Sequence, residues 1–158
     1  MRRLQFVAAL AVAAVMVACQ LVAPAQAQRM HCPAPERISY VQGRYVAEEK
    51  TAGWEGQWTS LAAPARAITR FDTALLAPDT NVAGRGILVN CTYLLKDGMQ
   101  LDMSYQPRSR PGVESNFVVS IAGVPDWRPE AGAVGAAFLE CTRSRERCGF
   151  QPLRVDPS

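Results

Sequence analysis

Residues 87–105 read Ile-Leu-Val-Asn-Cys-Thr-Tyr-Leu-Leu, then Lys96-Asp97-Gly98, then Met-Gln-Leu-Asp-Met-Ser-Tyr. Two runs rich in aliphatic, aromatic and β-branched side chains around a Gly-containing break predict a β-hairpin. Two registers compete. A two-residue Asp97-Gly98 turn pairs 94 with 101, 92 with 103 and 90 with 105, setting Thr92 and Asn90 opposite Met103 and Tyr105. A three-residue Lys96-Asp97-Gly98 loop, with Gly98 left-handed in a bulge, pairs 95 with 99, 93 with 101, 91 with 103 and 89 with 105. Leu95, Met99, Tyr93, Leu101, Cys91, Met103, Val89 and Tyr105 then share one face, and side-chain alternation makes that the buried face. The three-residue loop is the expected one.

Shorter alternating runs flank this hairpin. They are Ile38 with Tyr40, Tyr45 with Ala47 after Gly43, Trp54 with Gly56 and Trp58, Phe71 with Thr73 and Leu75 before a Pro78-Asp79 turn, and Phe117 with Val119 and Ile121. Leu139 and Cys141 are expected to lead into a Cys-bridged hairpin, with Phe150 beyond it. Gly and Pro, 11 of each, punctuate the chain, and no interior stretch holds a helical period for three turns. The helical expectations are one turn over 62–68 and a short helix over 131–138, weakened by Gly132 and Gly135. Residues 107–115 read as an exposed loop. The predicted fold is mainly β: a single compact antiparallel β domain, a sandwich or a curved sheet, with at most one or two short helices.

The 158 residues are 49% hydrophobic and 20% charged, a globular composition of one-domain length. Arg2-Arg3, the apolar run from Leu4 to Val22 and the small-x-small site Ala25-Gln26-Ala27 predict a signal peptide, residues 1–27, that is cleaved. Residues 28–158 are then a single periplasmic β domain. A lipoprotein alternative would process the chain at Cys19, in Met16-Val17-Ala18-Cys19. It is disfavoured because Met16 stands where Leu is usual and the apolar run continues through Leu21-Val22. Losing Arg2 and Arg3 leaves 15 basic residues against 14 acidic, so the formal charge falls from +3 to +1. A near-neutral protein has no global field to steer it onto nucleic acid or anionic lipid. No apolar stretch in the second half is long enough to span a membrane.

Cys32, Cys91, Cys141 and Cys148 remain after cleavage, an even number in an exported chain, and they imply two disulfides. Three pairings are possible. Cys141 and Cys148 are nearest, across a turn-like Ser144-Arg145, which leaves Cys32 for Cys91. Loop-closure entropy assigns ~2.5 kcal/mol to the short bridge and ~4.3 kcal/mol to the long one. A single His and no Cys-x-x-Cys argue against zinc, and no cofactor is expected.

The order Cys32-Pro33, Gly43-x-Tyr45, Trp54-x-Gly56, Ile68…Phe71, Cys91-x-Tyr93 and Cys141…Cys148-x-Phe150 resembles a family of small exported proteins of Gram-negative bacteria. That family is catalogued as a domain of unknown function. The resemblance implies a periplasmic, disulfide-linked domain over most of the mature chain, with no reaction and no catalytic residues attached.

Candidate chemistry is sparse. His31, the only imidazole, is expected on a frayed terminus, a poor place to hold a general base beside a nucleophile. Glu48 and Glu49 are neighbours on a strand, point to opposite faces and cannot share a substrate. Asp72 and Asp102 have no spacing that unites them. Gly84-x-Gly86 is too short to cradle phosphate, and Asn90-Cys91-Thr92 matches a glycosylation sequon. Binding features are more suggestive. Arg143, Arg145 and Arg147 alternate near the tip of the Cys141–Cys148 segment, with Arg108 and Arg110 in another loop, and guanidinium grips phosphate or carboxylate bidentately. The bland reading is a solubilising tip, with Glu146 as counterion. Trp54 and Trp58 offer an aromatic platform for sugar or protein, against the commoner fate of core packing. The expected function is a non-enzymatic binding or accessory protein whose partner is another envelope protein or a cell-envelope component. The alternative is an inhibitor or immunity protein against a cell-wall-acting enzyme.

Overall fold

In the computed structural model, which describes residues 28–112, 115–132 and 138–158, ten strands make one antiparallel sheet. They are β1 (Ser39–Val41), β2 (Arg44–Glu49), β3 (Gly56–Ser60), β4 (Ile68–Pro78), β5 (Arg85–Leu95), β6 (Gln100–Pro107), β7 (Ser115–Ser120), β8 (Arg128–Pro129), β9 (Leu139–Cys141) and β10 (Gln151–Pro157). The fold is mainly β, as expected. The segment 1–27, expected to be a cleaved signal peptide, lies with Cys19 outside the described residues, as do residues 133–137 of the helix expected over 131–138. The one described helical element is a 3-10 turn, Pro35–Arg37, which opens on the fixed φ of proline. No described helix is long and apolar enough to cross a membrane. Residues 62–68 form no helical turn. Tyr45 Oη reaches this segment instead, donating to the Arg66 carbonyl (2.8 Å) and accepting from the Arg66 N–H.

The path β1-β2-β3-β6-β5-β4-β9-β8 branches at β5, whose free edge also takes β7, and β7 carries β10. The β5–β6 hairpin has the three-residue register: Cys91 faces Met103 and Tyr93 faces Leu101, and Gly98 has φ +83°. Leu95 N–H donates to the Met99 carbonyl (2.8 Å) and closes the loop. Two members of the expected face depart from it. Met99 is 64% exposed, because β3 flanks β6 only from Met103 onward. Val89 is half-buried and does not pair with Tyr105. The register slips between Leu75/Asn90 and Leu76/Leu88, leaving Val89 as the extra residue and turning Leu88 inward. Beyond this point β5 leaves β6 for β7, pairing Arg85–Ile87 with Val118–Ser120.

A second slip, between Phe71 and Thr73, corrects the parity expected for β4. Phe71 packs edge-on against Tyr93, while Ala74 and Leu76, not Thr73 and Leu75, fill the core. The residues from Cys141 to Cys148 are not a β-hairpin. Arg147 and Cys148 N–H groups donate to the Ser144 carbonyl (2.9 and 3.1 Å) in a helical-type turn, and the flanking strands go to different neighbours. β9 pairs with β4 and β8, and β10 with β7.

The β7–β10 ribbon folds its inner face over β3 and β6. Phe117 meets Trp54, Trp58, Tyr105 and Phe150, with ring centroids 4.3 to 6.4 Å apart. Both disulfides have the expected pairing, Cys32–Cys91 and Cys141–Cys148, and all four cysteines are fully buried. The long bridge fastens the N-terminal segment to β5, assisted by the Tyr93 hydroxyl, which donates to the Pro33 carbonyl (2.7 Å).

Candidate functional site

The end of the β3–β6 pair is where aromatic, cationic and acidic side chains converge. It is built from the β2–β3 turn, in which Gly53 takes φ +80° and the Trp54 N–H donates to the Thr51 carbonyl (2.8 Å). Glu49 organises this turn. Its Oε1 accepts from the Lys50 and Thr51 N–H groups (both 3.0 Å) and the Thr51 hydroxyl (2.7 Å), and its Oε2 accepts from Trp58 Nε1 (3.1 Å). The Tyr105 hydroxyl donates to the Trp54 carbonyl (2.9 Å), and the Arg108 N–H to the Glu55 carbonyl (3.0 Å). Burial, reinforced by the charges of Glu49 and Glu55, pushes the Tyr105 hydroxyl up to about 12. Glycine at position 56 is required because a Cβ there would run into the Gln106 carbonyl of the adjoining strand.

A cavity of about 620 Å³ opens beside this turn, lined by Trp54, Glu55, Tyr105, Arg108, Arg110 and Val155 among others. Trp54 is half-buried, with one side of its ring against Phe117 (5.8 Å), whereas Trp58 is fully buried. The two tryptophans therefore do not form a joint platform: Trp58 belongs to the core and Trp54 to the cavity wall. Arg108 and Arg110 are exposed, and among the described residues neither guanidinium is hydrogen-bonded or ion-paired. Arg108 also borders a cavity of about 350 Å³ on the other side of the strand end, with Glu48, Gln57, Gln106 and Pro111.

The arginines of the Cys141–Cys148 segment are differently employed. Arg147 makes a bidentate pair with Asp126 (Nε 2.9 Å, Nη2 2.6 Å), and Arg143 Nε lies 3.9 Å from the same carboxylate. Arg145 turns elsewhere, donating to the Cys32 carbonyl (3.0 Å) and pairing with Glu146 (2.9 Å). They do not form one patch. Sequence spacing could not disclose this, because Asp126 and Cys32 are distant along the chain.

His31 is not on a frayed end. Met30 and Phe150 exchange backbone hydrogen bonds (2.8 and 3.0 Å) and Cys32 is bridged, so the ring is held half-buried in a polar cavity of about 190 Å³ with Arg37, Glu48 and Arg145. Burial, then the nearby Arg145 charge, pushes its pKa below the ordinary value. Asp72 and Asp102 lie apart in function. Asp72 accepts from Gln100 (3.2 Å) and pairs with Arg70, and Asp102 accepts from the Thr92 hydroxyl (2.6 Å). No group of three His, Cys, Asp or Glu residues among the described residues could hold a metal ion. Glu55 and Tyr105 escaped the sequence reading as cavity residues, although the Trp54-x-Gly56 spacing was the available signal.

No curated protein and no solved structure matches this chain. The model of the family described as "Protein of unknown function (DUF3757)" matches residues 25–151, a span that takes in both disulfides and every named wall residue of the Trp54 cavity except Val155. The chain belongs to that family.

Proposed function

We propose that residues 28–158 are a non-enzymatic binding protein of the bacterial envelope, and that the Trp54 cavity is its binding site. The observation that carries this reading is the conjunction, in one open cavity, of an aromatic face with two guanidiniums that, among the described residues, make no hydrogen bond or ion pair. A guanidinium that makes no ion pair at a concave wall with an aromatic face is available to a ligand. The chemistry of the wall favours recognition over catalysis, since the only imidazole borders a different cavity. Two buried disulfides suit an oxidising compartment, and the Ala25-Gln26-Ala27 site accounts for entry to the periplasm by cleavage before Gln28.

Retention of the mature protein on a cell-envelope extract tests the site. The Arg108→Ser/Arg110→Ser pair is expected to lose retention while keeping the fold. The Arg143→Ser/Arg145→Ser/Arg147→Ser triple is expected to keep it. The opposite pattern would move the site to the Cys141–Cys148 segment. Loss of a deletion-complementing phenotype in a folded His31→Ala or Asp102→Asn variant would replace the binding reading with an enzymatic one.

A further inference from the structure

The two cavities at the end of the β3–β6 pair share Pro107 and Arg108 and lie on opposite faces of the sheet. The cross-strand row Ala47–Trp58–Tyr105 faces the core side, and the adjacent row Glu48–Gln57–Gln106 faces the other. Arg108, just past the last paired residue, stands between them. The wall is thus continuous around the strand end, with an aromatic ring and Arg110 on one side and two amides on the other. A ligand that uses both sides must be a chain of units rather than a single small molecule.

We infer that this groove binds an acidic glycan chain, sugar units that each carry a carboxylate, wrapped over the strand end at Arg108. The inference rests on the reading of the Trp54 cavity as the ligand site. A pyranose presents a face of C–H bonds that suits the negative face of an indole ring. Carboxylates on successive units match Arg108 and Arg110, since guanidinium takes a carboxylate bidentately. Gln57 and Gln106 supply both donors and acceptors for hydroxyls. Glu48 and Glu55, on the same walls, disfavour a dense polyanion and leave room for one charge per sugar. A peptide is the less suitable occupant. Extended peptides bind by adding to an open strand edge, and here β3 is paired on both sides by β2 and β6, and β6 by β3 and β5.

The test is calorimetric titration of the oxidised mature protein with a uronic-acid hexamer, a neutral glucan hexamer, monomeric uronic acid and a hexaglutamate peptide. The uronate hexamer is expected to bind at least about tenfold more tightly than the neutral hexamer or the monomer, the scale of one charge-assisted hydrogen bond. Arg108→Ser and Arg110→Ser should each weaken it by about tenfold or more and flatten its salt dependence. Gln57→Leu should weaken the hexamer but not the monomer. Near-ultraviolet dichroism checks that each variant is folded. Equal binding of hexaglutamate, or of the neutral hexamer, overturns the acidic glycan. So does wild-type affinity in both arginine variants. If no glycan binds yet Arg108→Ser/Arg110→Ser still abolishes envelope retention, the site stands and the ligand class is wrong. If retention is also indifferent, the site itself is wrong.

Discussion

Gly98 has φ +83°, and a Cβ built on it meets nothing within 4 Å, so its requirement is purely one of backbone conformation. Gly98→Val is therefore expected to lower stability by about 1–2 kcal/mol, Gly98→Ala by less, and Gly98→Asn least, because Asn tolerates the left-handed region. Denaturant midpoints of the three variants measure the order, and an unchanged midpoint for Val would contradict the bulged loop. His31 makes a second prediction at this scale. Its folded pKa lies below the ordinary 6.5, with burial the main cause and Arg145 the next. The folded state therefore prefers the neutral ring. The associated stability is present above the unfolded pKa and is lost as pH falls through the folded one. Between about pH 8 and about pH 5 the wild-type midpoint should drop more than that of His31→Gln. Parallel profiles would mean that the ring does not sense its cavity.

Two elements are tied by sulfur, and they differ in what they hold. Cys32–Cys91 spans 59 residues and anchors the N-terminal segment on the central strand, whereas Cys141–Cys148 spans seven and closes a local turn. Removing the long bridge as Cys32→Ala/Cys91→Ala should cost ~4 kcal/mol, against ~2.5 kcal/mol for the short one, if loop-closure entropy dominates. Chemical denaturation of the two double variants compares them, and a larger loss at the short bridge would show that the turn, with its Asp126–Arg147 pair, matters more than loop length. The sheet edges carry their own protection. β1 is only three residues long, and β10 contains Pro152 and Pro157 with a register slip between Pro152 and Arg154. Short, proline-bearing or bulged edges resist pairing with another chain.

Across the whole molecule the core is an aromatic assembly closed by hydroxyl-to-carbonyl hydrogen bonds, and this makes it sensitive to alkali. Burial raises the Tyr93 hydroxyl far above its ordinary value of 10, and Tyr105 to about 12. Both groups are held protonated in the folded state. Their contribution is complete below about pH 10 and is lost as pH rises through the folded values. The denaturation midpoint should fall steeply above about pH 10 in the wild type and less steeply in Tyr93→Phe and Tyr105→Phe. If both variants follow the wild-type curve, alkaline unfolding begins outside this core.

The chain's mainly β class, the register of residues 91–103 and the disulfide pairing were legible in the sequence. Period-two alternation, a left-handed glycine and cysteine spacing are all local properties. The bulges at Val89 and near Asp72, which move Leu88, Ala74 and Leu76 inward, were not legible. The slip at Val89 falls where β5 passes from β6 to β7, and the one near Asp72 lies on β4 opposite a stretch of β5 that is still paired with β6. The candidate site divides in the same way. Trp54, Arg108 and Arg110 could be named from their motif and loop. Only the tertiary structure occupied Arg145 with Cys32 and Arg147 with Asp126, while the Arg108 and Arg110 guanidiniums make no hydrogen bond or ion pair among the described residues. A charge is available or committed according to what the fold brings within about 3–4 Å of it, and that is decided by segments far apart in the chain.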